Sequence, residues 1–271
     1  MSDLTFRARS ATEIVDGTFR LYREHFVSFL TLSTLVYLPV IALMVPLMGM
    51  MNAPAEDPTA MGLTFLAIGL VSVLWYPVMW GALMLSASEH YMGRQIETGE
   101  AVRRAFGKFG ALLGSWLAKW LIVMLGFFLL IVPGFYFIAR FFAIPATVLF
   151  ENRGVGDSLG RSSALSIGQK GRILGTLALA WIILFGIIIA FSMLATIILG
   201  VVLVRGGGEP PTGTSALLMQ LPGIFSYILG LPIIVIAEML LYYDARIRQE
   251  GYDIELMTSR LGSTATEAPA H

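Results

Sequence analysis

Six apolar stretches, separated by short polar or turn-forming segments, run along this chain. A helix needs about 20 apolar residues to cross a bilayer. Only 13% of the 271 residues are charged, against roughly 25% in soluble domains, so the chain lacks the charge to cover a soluble globule. The sequence therefore predicts an all-α polytopic membrane protein with about six transmembrane helices. Their predicted ranges are 27–51, 61–92, 111–132, 135–150, 173–204 and 216–243.

Basic residues occur in every second joining segment. Because cytoplasmic loops of inner-membrane proteins hold the Lys and Arg residues, this alternation predicts a multi-pass protein of the cell (inner) membrane with both termini in the cytoplasm. It also favours a full crossing by the short segment 135–150, which otherwise suits a re-entrant loop. The N-terminal segment is too long and too mixed in charge for a cleavable signal peptide. The predicted cytoplasmic basic residues are Arg7, Arg9, Arg20, Arg23, Arg94, Arg103, Arg104, Lys108, Arg153, Arg161, Lys170, Arg172, Arg246, Arg248 and Arg260, whereas the opposite loops hold Glu56, Asp57 and Arg205.

The spans group into three hairpins, each preceded by a cytoplasmic amphipathic segment. Apolar residues in these segments recur at three- and four-residue steps, as in a helix lying on the headgroups. Thr12, Thr98 and Asp157 are the predicted N-caps, and Pro133-Gly134 is the predicted turn of the second hairpin. The chain reads as one helical domain over residues 1–261, with units 1–92, 93–152 and 153–261, and a disordered tail over 262–271.

Three ionisable residues fall inside predicted spans. Lys119, Arg140 and Glu238 are candidates for function because a charge in the bilayer costs about 2.5–3.5 kcal/mol. At a rise of about 1.5 Å per residue all three lie at similar depths, which favours an Arg140–Glu238 ion pair with Lys119 nearby. The alternative is that Lys119 and Glu238 extend to the interface and only Arg140 is buried.

Several cytoplasmic arginines are candidate contacts for anionic lipid headgroups, because each such residue near a charged leaflet contributes about 1 kcal/mol. The alternative is that they only set the topology. The expected partners are membrane lipids, together with a protein partner or a second copy of the chain. The formal net charge is zero, which gives no indication of nucleic-acid binding. The candidate headgroup contacts are Arg20, Arg23, Arg103, Arg104 and Arg161.

The last span runs into a charged motif, D-x-R-x-R-x-E-G-x-D. Its i, i+4 spacing predicts two ion pairs on a helical extension, Asp244–Arg248 and Arg246–Glu250, ended by Gly251. We expect this extension to contact the cytoplasmic surface helices. The motif residues are Asp244, Arg246, Arg248, Glu250, Gly251 and Asp253.

This exit motif resembles that of the glycerophosphoryl diester phosphodiesterase membrane-domain family. The segments 16–23 and 150–162 agree with it, so the resemblance covers nearly the whole chain. In some members the membrane domain is fused to a catalytic barrel that uses a His-Arg pair and acidic metal ligands. Neither His25 nor His90 is followed by Arg, so the resemblance implies the membrane module without the catalytic domain.

No catalytic motif is present in the sequence, and it contains no cysteine. We expect no cofactor and no metal site. The sequence favours a non-enzymatic module that binds lipid or a partner protein at the cytoplasmic face. One alternative is a small transporter or lipid-translocating protein with a site near Arg140 and Glu238. The other is a glycerophosphodiester-related enzyme using Glu89, His90 and Asp244.

Overall fold

The computed structural model describes residues 9–52, 58–205 and 214–251, and those ranges contain helices and no strand. Predictions for Asp253, for the loop with Glu56 and Asp57, and for the tail 262–271 lie outside them. The described helices are α1 (Ala11–Glu24), α2 (Phe26–Asn52), α3 (Pro58–Tyr91), α4 (Thr98–Gly107), α5 (Phe109–Leu129), α6 (Ile131–Arg140), α7 (Ile144–Phe150), α8 (Val155–Leu165), α9 (Lys170–Arg205) and α10 (Thr214–Glu250).

The all-α, multi-pass membrane architecture is confirmed. Helices α2 and α3, α5 and α6–α7, and α9 and α10 pack as three consecutive hairpins. The short amphipathic helices α1, α4 and α8 precede them in turn. Five segments are long and apolar enough to cross a bilayer, and a shorter apolar stretch of α2, Phe26–Pro39, accompanies them. The five are Gly62–Tyr91, Phe109–Leu129, Ile131–Phe150, Lys170–Val201 and Pro222–Glu250.

Helices α1, α4 and α8 and the C-terminal end of α10 share one side of the bundle, called the basic side below. The predicted N-caps of these three surface helices are wrong by one to three positions. Ser10 caps α1, and its side chain forms a capping box with Glu13. Glu97 and Gly154 precede α4 and α8 without a side-chain cap. Thr12, Thr98 and Asp157 instead lie within the first helical turn.

The turn of the second hairpin lies at Leu130, not at Pro133-Gly134. Leu130 is extended, with φ −165° and ψ 158°, between α5 and α6. Pro133 is tolerated in the first turn of α6 because the amide there has no intrahelical partner to lose. The hairpin can be this tight because a β-carbon on Gly126 would lie only 3.1 Å from the Cα of Gly134.

The returning arm of the second hairpin is broken between α6 and α7. Residues 141–143 form a turn, and Pro145 follows in the first turn of α7, where its missing N–H removes one of the backbone hydrogen bonds that would otherwise cross the gap. The polar backbone freed by the break is buried in protein, as a membrane requires. Ser162 of α8 supplies the partners: its hydroxyl accepts from Ala143 N at 3.0 Å and donates to Arg140 O at 3.0 Å.

Helix α10 occupies the centre of the fold. It packs against α1, α2, α3, α8 and α9, and Ile233 through Tyr243 are all buried. The outer faces of α5 and α9 are exposed and apolar, as at Leu121, Met124 and Ile182. Because lipid tails are apolar, these faces suit contact with the bilayer. Helix α10, an arm of the third hairpin, is therefore the central helix of the fold, and its buried side chains contribute to the site described next.

Candidate functional site

One polar cluster inside the bundle joins all three hairpins. Nε1 of Trp80, on α3, donates to Oε2 of Glu238, on α10, over 2.5 Å. Nζ of Lys119, on α5, lies 3.6 Å from Oε1 of the same carboxylate. Glu238 is almost completely buried, so a compensating charge and donor are needed to keep it ionised. Lys119 and Glu238, predicted from the sequence to be charges inside spans, therefore pair with each other within the bundle.

The predicted Arg140–Glu238 ion pair is wrong. Nε of Arg140 donates instead to the hydroxyl of Ser163 at 2.8 Å, and the guanidinium lies over the ring of Phe141. Arg140 ends α6 beside the helix break, where the surface helix α8 reaches it. Similar depth along the membrane did not bring Arg140 and Glu238 together, because α6 presents Arg140 to α8.

The two ion pairs predicted for the exit motif are confirmed. Nε of Arg248 lies 3.0 Å from Oδ2 of Asp244, and Nε of Arg246 lies 3.0 Å from Oε2 of Glu250. Gly251 ends the helix with φ +63°, a left-handed conformation that glycine adopts without the strain of a β-carbon.

The motif also contacts a surface helix, as predicted, because Glu250 pairs with Arg161 of α8, and it binds the segment that precedes α1. Asp244 accepts from the backbone N of Arg9 at 2.6 Å and pairs with Arg172 at the start of α9. Arg172 and Arg248 both donate to the carbonyl oxygen of Arg9, at 2.9 and 2.8 Å. Asp244 thereby ties the segment before α1 to α9 and α10.

Arg161 is not available as a headgroup contact. Its guanidinium pairs with Glu151, at 2.7 Å, and with Glu250 at the end of α10. Tyr242 donates to Oε1 of Glu151 at 3.0 Å. Burial by itself disfavours the charged carboxylate, but hydrogen bonds from Arg161, Arg153 and Tyr242 outweigh it and hold the pKa of Glu151 below its usual value. Arg161 therefore fixes α8 to α10.

A basic pocket of about 510 Å³ opens on the basic side between α3, α4, α7 and α10. Its charged lining comprises four basic residues and the single acid Glu89. Glu89 pairs with Arg94 at 2.5 Å and approaches Arg104 at 3.5 Å. Apolar side chains complete one wall, so the pocket offers positive charge beside an apolar surface. The basic residues are Arg94, Arg104, Lys108 and Arg246, and the apolar ones include Leu85, Met92, Leu149 and Phe150.

Lys108 has a defined structural task in this pocket. Its ammonium donates to the carbonyl oxygens of Val148 and Leu149, at 3.1 and 2.8 Å, which satisfies the C-terminal end of α7. Burial lowers the pKa of Lys108 because desolvation disfavours the ammonium. The side chains of Arg94 and Arg104 are 61% and 51% exposed, so these two are the pocket residues most accessible to a ligand.

The other predicted headgroup contacts lie outside this pocket. Arg20 and Arg23 are exposed on α1. Arg103 is 79% exposed and pairs with Glu100, which also accepts from Nε of Arg104 at 2.7 Å. Arg103 and Arg104 are therefore neighbours that share an acid, and only Arg104 lines the basic pocket.

Glu89, His90 and Asp244, the residues of the enzyme alternative, face different partners. Glu89 pairs with arginines, whereas His90 stacks on His25 with ring centroids 4.1 Å apart and its Nε2 lies 3.0 Å from the Ser28 hydroxyl. Within the described ranges no three His, Asp or Glu side chains are grouped to hold a metal ion. This part of the chain offers structural polar contacts and no metal-binding cluster.

Comparison with known proteins identifies no relative. No family model, no curated protein and no solved structure matches the chain. The resemblance of the exit motif to the glycerophosphoryl diester phosphodiesterase membrane-domain family stays a prediction.

Sequence reasoning missed two important residues. Ser162 carried no signal beyond its place in an amphipathic segment, yet it satisfies the broken helix. A tryptophan in an apolar stretch such as Trp80 is usually a packing or interfacial residue, but a buried indole N–H needs an acceptor, and Glu238 is the acid that supplies it. Both contacts depend on how separate hairpins pack together.

Proposed function

We propose that this chain is a non-enzymatic integral membrane protein that binds the headgroup of an anionic phospholipid in the basic pocket. The observation that carries the proposal is the composition of that pocket, in which four basic residues and one acid lie beside apolar side chains. A phospholipid has the matching form, with a negative phosphate next to an apolar glycerol and acyl region.

The accessible arginines suit a phosphate. A guanidinium presents paired N–H donors in a planar array that matches two phosphate oxygens. Arg94 and Arg104 both contact Glu89, which holds them in place before a ligand arrives. The four basic residues still outnumber the three acids that pair with them, Glu89, Glu100 and Glu250. The remaining positive charge attracts an anion, most strongly next to an anionic leaflet.

We further propose that the protein lies in the cell (inner) membrane with the basic side in the cytoplasm. The support is the distribution of Lys and Arg along the chain under the positive-inside rule. In this orientation the basic pocket faces the leaflet surface that carries most of the negative charge in a cell. Orientation and ligand preference are thus consistent with each other.

The test compares two neighbouring arginines. Arg104→Gln removes a charge that lines the pocket, whereas Arg103→Gln removes a charge from the same helix that lies outside the pocket and is more exposed, 79% against 51%. Each variant is released from nanodiscs of phosphatidylcholine with a minor fraction of phosphatidylglycerol, and native mass spectrometry measures bound phosphatidylglycerol. We expect Arg104→Gln to weaken retention of phosphatidylglycerol roughly tenfold, because about one charge-assisted hydrogen bond is lost. Arg103→Gln should leave that retention nearly unchanged.

Equal losses in the two variants would mean that the lipid responds only to the overall charge of the basic side. Retention of phosphatidylcholine and phosphatidylglycerol in the bulk ratio by the unmodified protein would also overturn the proposal. Lys108 is avoided as a test position because its ammonium is part of the fold.

A second candidate function is lipid translocation or small-solute transport. The observation that favours it is the Lys119–Glu238 pair inside the membrane, since intramembrane charges often mark transport paths. Liposomes with a fluorescent phospholipid provide the test, with Lys119→Met/Glu238→Gln as the variant. Phospholipid translocation no faster than in protein-free liposomes removes lipid translocation, and uptake of a small solute is measured in the same liposomes to test the other activity.

We also propose kinship with the glycerophosphoryl diester phosphodiesterase membrane-domain family, as a membrane module without the catalytic domain. The exit motif from Asp244 to Gly251 supports it. The paired charges of that motif tie together the helices of the basic side, and this organisation suits a module that works at the membrane surface.

A further inference from the structure

A second cavity, of about 370 Å³, lies within the bundle and is separate from the basic pocket. It opens between α3, α5, α7, α9 and α10, and its walls are rich in aromatic side chains. Its volume falls in the range of small-ligand pockets, about 300–1,000 Å³. The aromatic lining residues are Tyr76, Trp80, Trp116, Trp120, Trp181 and Phe185.

Lys119 and Glu238 are the two charged residues that line this aromatic cavity. An ammonium carries three N–H donors. Among the residues that the structure describes, Glu238 is the only ion-pair partner of Lys119, and 3.6 Å is too long for a strong hydrogen bond. The ammonium therefore has donor capacity left for an oxygen inside the cavity.

The charge of the pair restricts what that oxygen belongs to. Lys119 and Glu238 neutralise each other, so an anionic ligand would add an uncompensated charge in a low-dielectric site, which is costly. A neutral hydroxyl or carbonyl oxygen accepts a hydrogen bond from the ammonium without that cost. The surrounding aromatic walls favour a long apolar body.

We propose that the aromatic cavity binds a neutral long-chain amphiphile, an alcohol or acylglycerol, whose hydroxyl or carbonyl oxygen accepts a hydrogen bond from Lys119. The ligand is taken from the bilayer, where such molecules partition. This site is distinct from the basic pocket in its residues and in the charge of its ligand, and it goes beyond headgroup binding.

The tryptophans provide a direct readout. Four of the five tryptophans of the chain line the cavity, and a brominated chain quenches indole fluorescence on contact. The full-length protein is placed in nanodiscs of unlabelled phosphatidylcholine and titrated with a dibrominated octadecanol. We expect saturable quenching by the alcohol. The dibrominated carboxylate of the same length should bind at least about tenfold more weakly at a pH where it is ionised, because it brings an uncompensated charge into the cavity beside Glu238.

Two variants locate the binding. Lys119→Met/Glu238→Gln keeps the side-chain volumes but removes the charged donor, and we expect it to weaken alcohol binding roughly tenfold. Ser115→Phe fills the cavity from a fully buried position on α5 and abolishes saturable quenching. The matched control, Ala178→Phe, adds the same ring to an exposed position of α9 and leaves binding intact.

Quenching that rises linearly with alcohol concentration and is equal in all variants would overturn the proposal. It would show that the alcohol dissolves in the bilayer and quenches only the exposed Trp120 from there. Equal affinity for the alcohol and the carboxylate would overturn the proposal that the polar group of the ligand is neutral. If Ser115→Phe fails to fold, Lys119→Met/Glu238→Gln decides. None of the substituted residues lines the basic pocket, so failure here and loss of phosphatidylglycerol retention in Arg104→Gln are separable results.

Discussion

Trp80 donates a 2.5 Å hydrogen bond to Glu238, and these residues lie 158 positions apart in the sequence. The bond links the first hairpin to the third, and Lys119 adds the second hairpin to the same carboxylate. A single buried acid therefore connects the three repeating units of the fold. Removing it has consequences in each of them.

Glu238→Ala leaves the Lys119 ammonium and the Trp80 N–H without their buried partner. Breaking a buried ion pair from one side costs roughly 3–5 kcal/mol, so we expect a fall of that order in the free energy of unfolding. Denaturation with SDS in mixed micelles measures it. The apolar replacement Lys119→Met/Glu238→Leu is expected to recover much of the loss. A cost no greater than that of Glu97→Ala, an exposed change, would refute the structural role of the pair.

Arg161 and Arg153 both contact Glu151 but differ in burial. The Arg161 side chain is 19% exposed and also pairs with Glu250, whereas Arg153 is 41% exposed. We expect Arg161→Ala to lower the free energy of unfolding by roughly 2–3 kcal/mol and Arg153→Ala by about 0–1 kcal/mol. Hydrogen exchange provides a second measurement, and the exchange rate of the α8 amides should rise only in Arg161→Ala. Similar effects of the two changes would contradict a bridge from α8 to α10.

Ser162 satisfies two backbone groups at the break between α6 and α7. Ser162→Ala leaves both unpaired in a buried position, at about 1–3 kcal/mol for each. The matched control is Ser158→Ala on the same helix, because Ser158 is equally buried but donates to the carbonyl oxygen of Gly154, which immediately precedes that helix, at 2.6 Å. Thermal melting in detergent should separate the two variants, and coinciding melting temperatures would count against the role assigned to Ser162.

The lowered pKa of Glu151 predicts a dependence of stability on pH. Because the folded-state pKa lies below the unfolded value of about 4.3, the carboxylate contributes fully above that value. The contribution is lost as pH falls through the folded pKa. The melting temperatures of the unmodified protein and Glu151→Gln should therefore differ by a constant amount above about pH 5, and this difference should shrink as pH falls below the unfolded pKa of the carboxyl group. Glu97→Gln, a change at an exposed acid, is the control. A constant difference across the range would contradict this assignment.

The proposed orientation is tested with single cysteines, since the chain contains none. A membrane-impermeant maleimide applied to intact cells should label Asp57→Cys and leave Arg104→Cys unlabelled. After the cells are lysed, Arg104→Cys should react, which controls for reactivity. The opposite labelling pattern would reverse the orientation and place the basic pocket outside the cell.

Local properties of the chain determined the spans, their hairpin order and the exit motif. Hydropathy identifies a membrane helix from its own residues, and the spacing of Asp244 and Arg248 predicts a contact within one helix. The turn and cap positions were less accurate. The second hairpin turns at Leu130 because close contact between Gly126 and Gly134 lets α6 begin before Pro133.

Only the tertiary structure decided which charges meet. The rise along a helix predicts depth in the membrane, and Lys119 and Arg140 lie at similar depths. Successive side chains also point in directions about 100° apart around the helix axis. The depth of a residue in the membrane does not say in which of these directions its side chain points. Packing of the hairpins directs Lys119 to Glu238 and Arg140 to Ser163, and it is this packing that creates the aromatic cavity and the basic pocket.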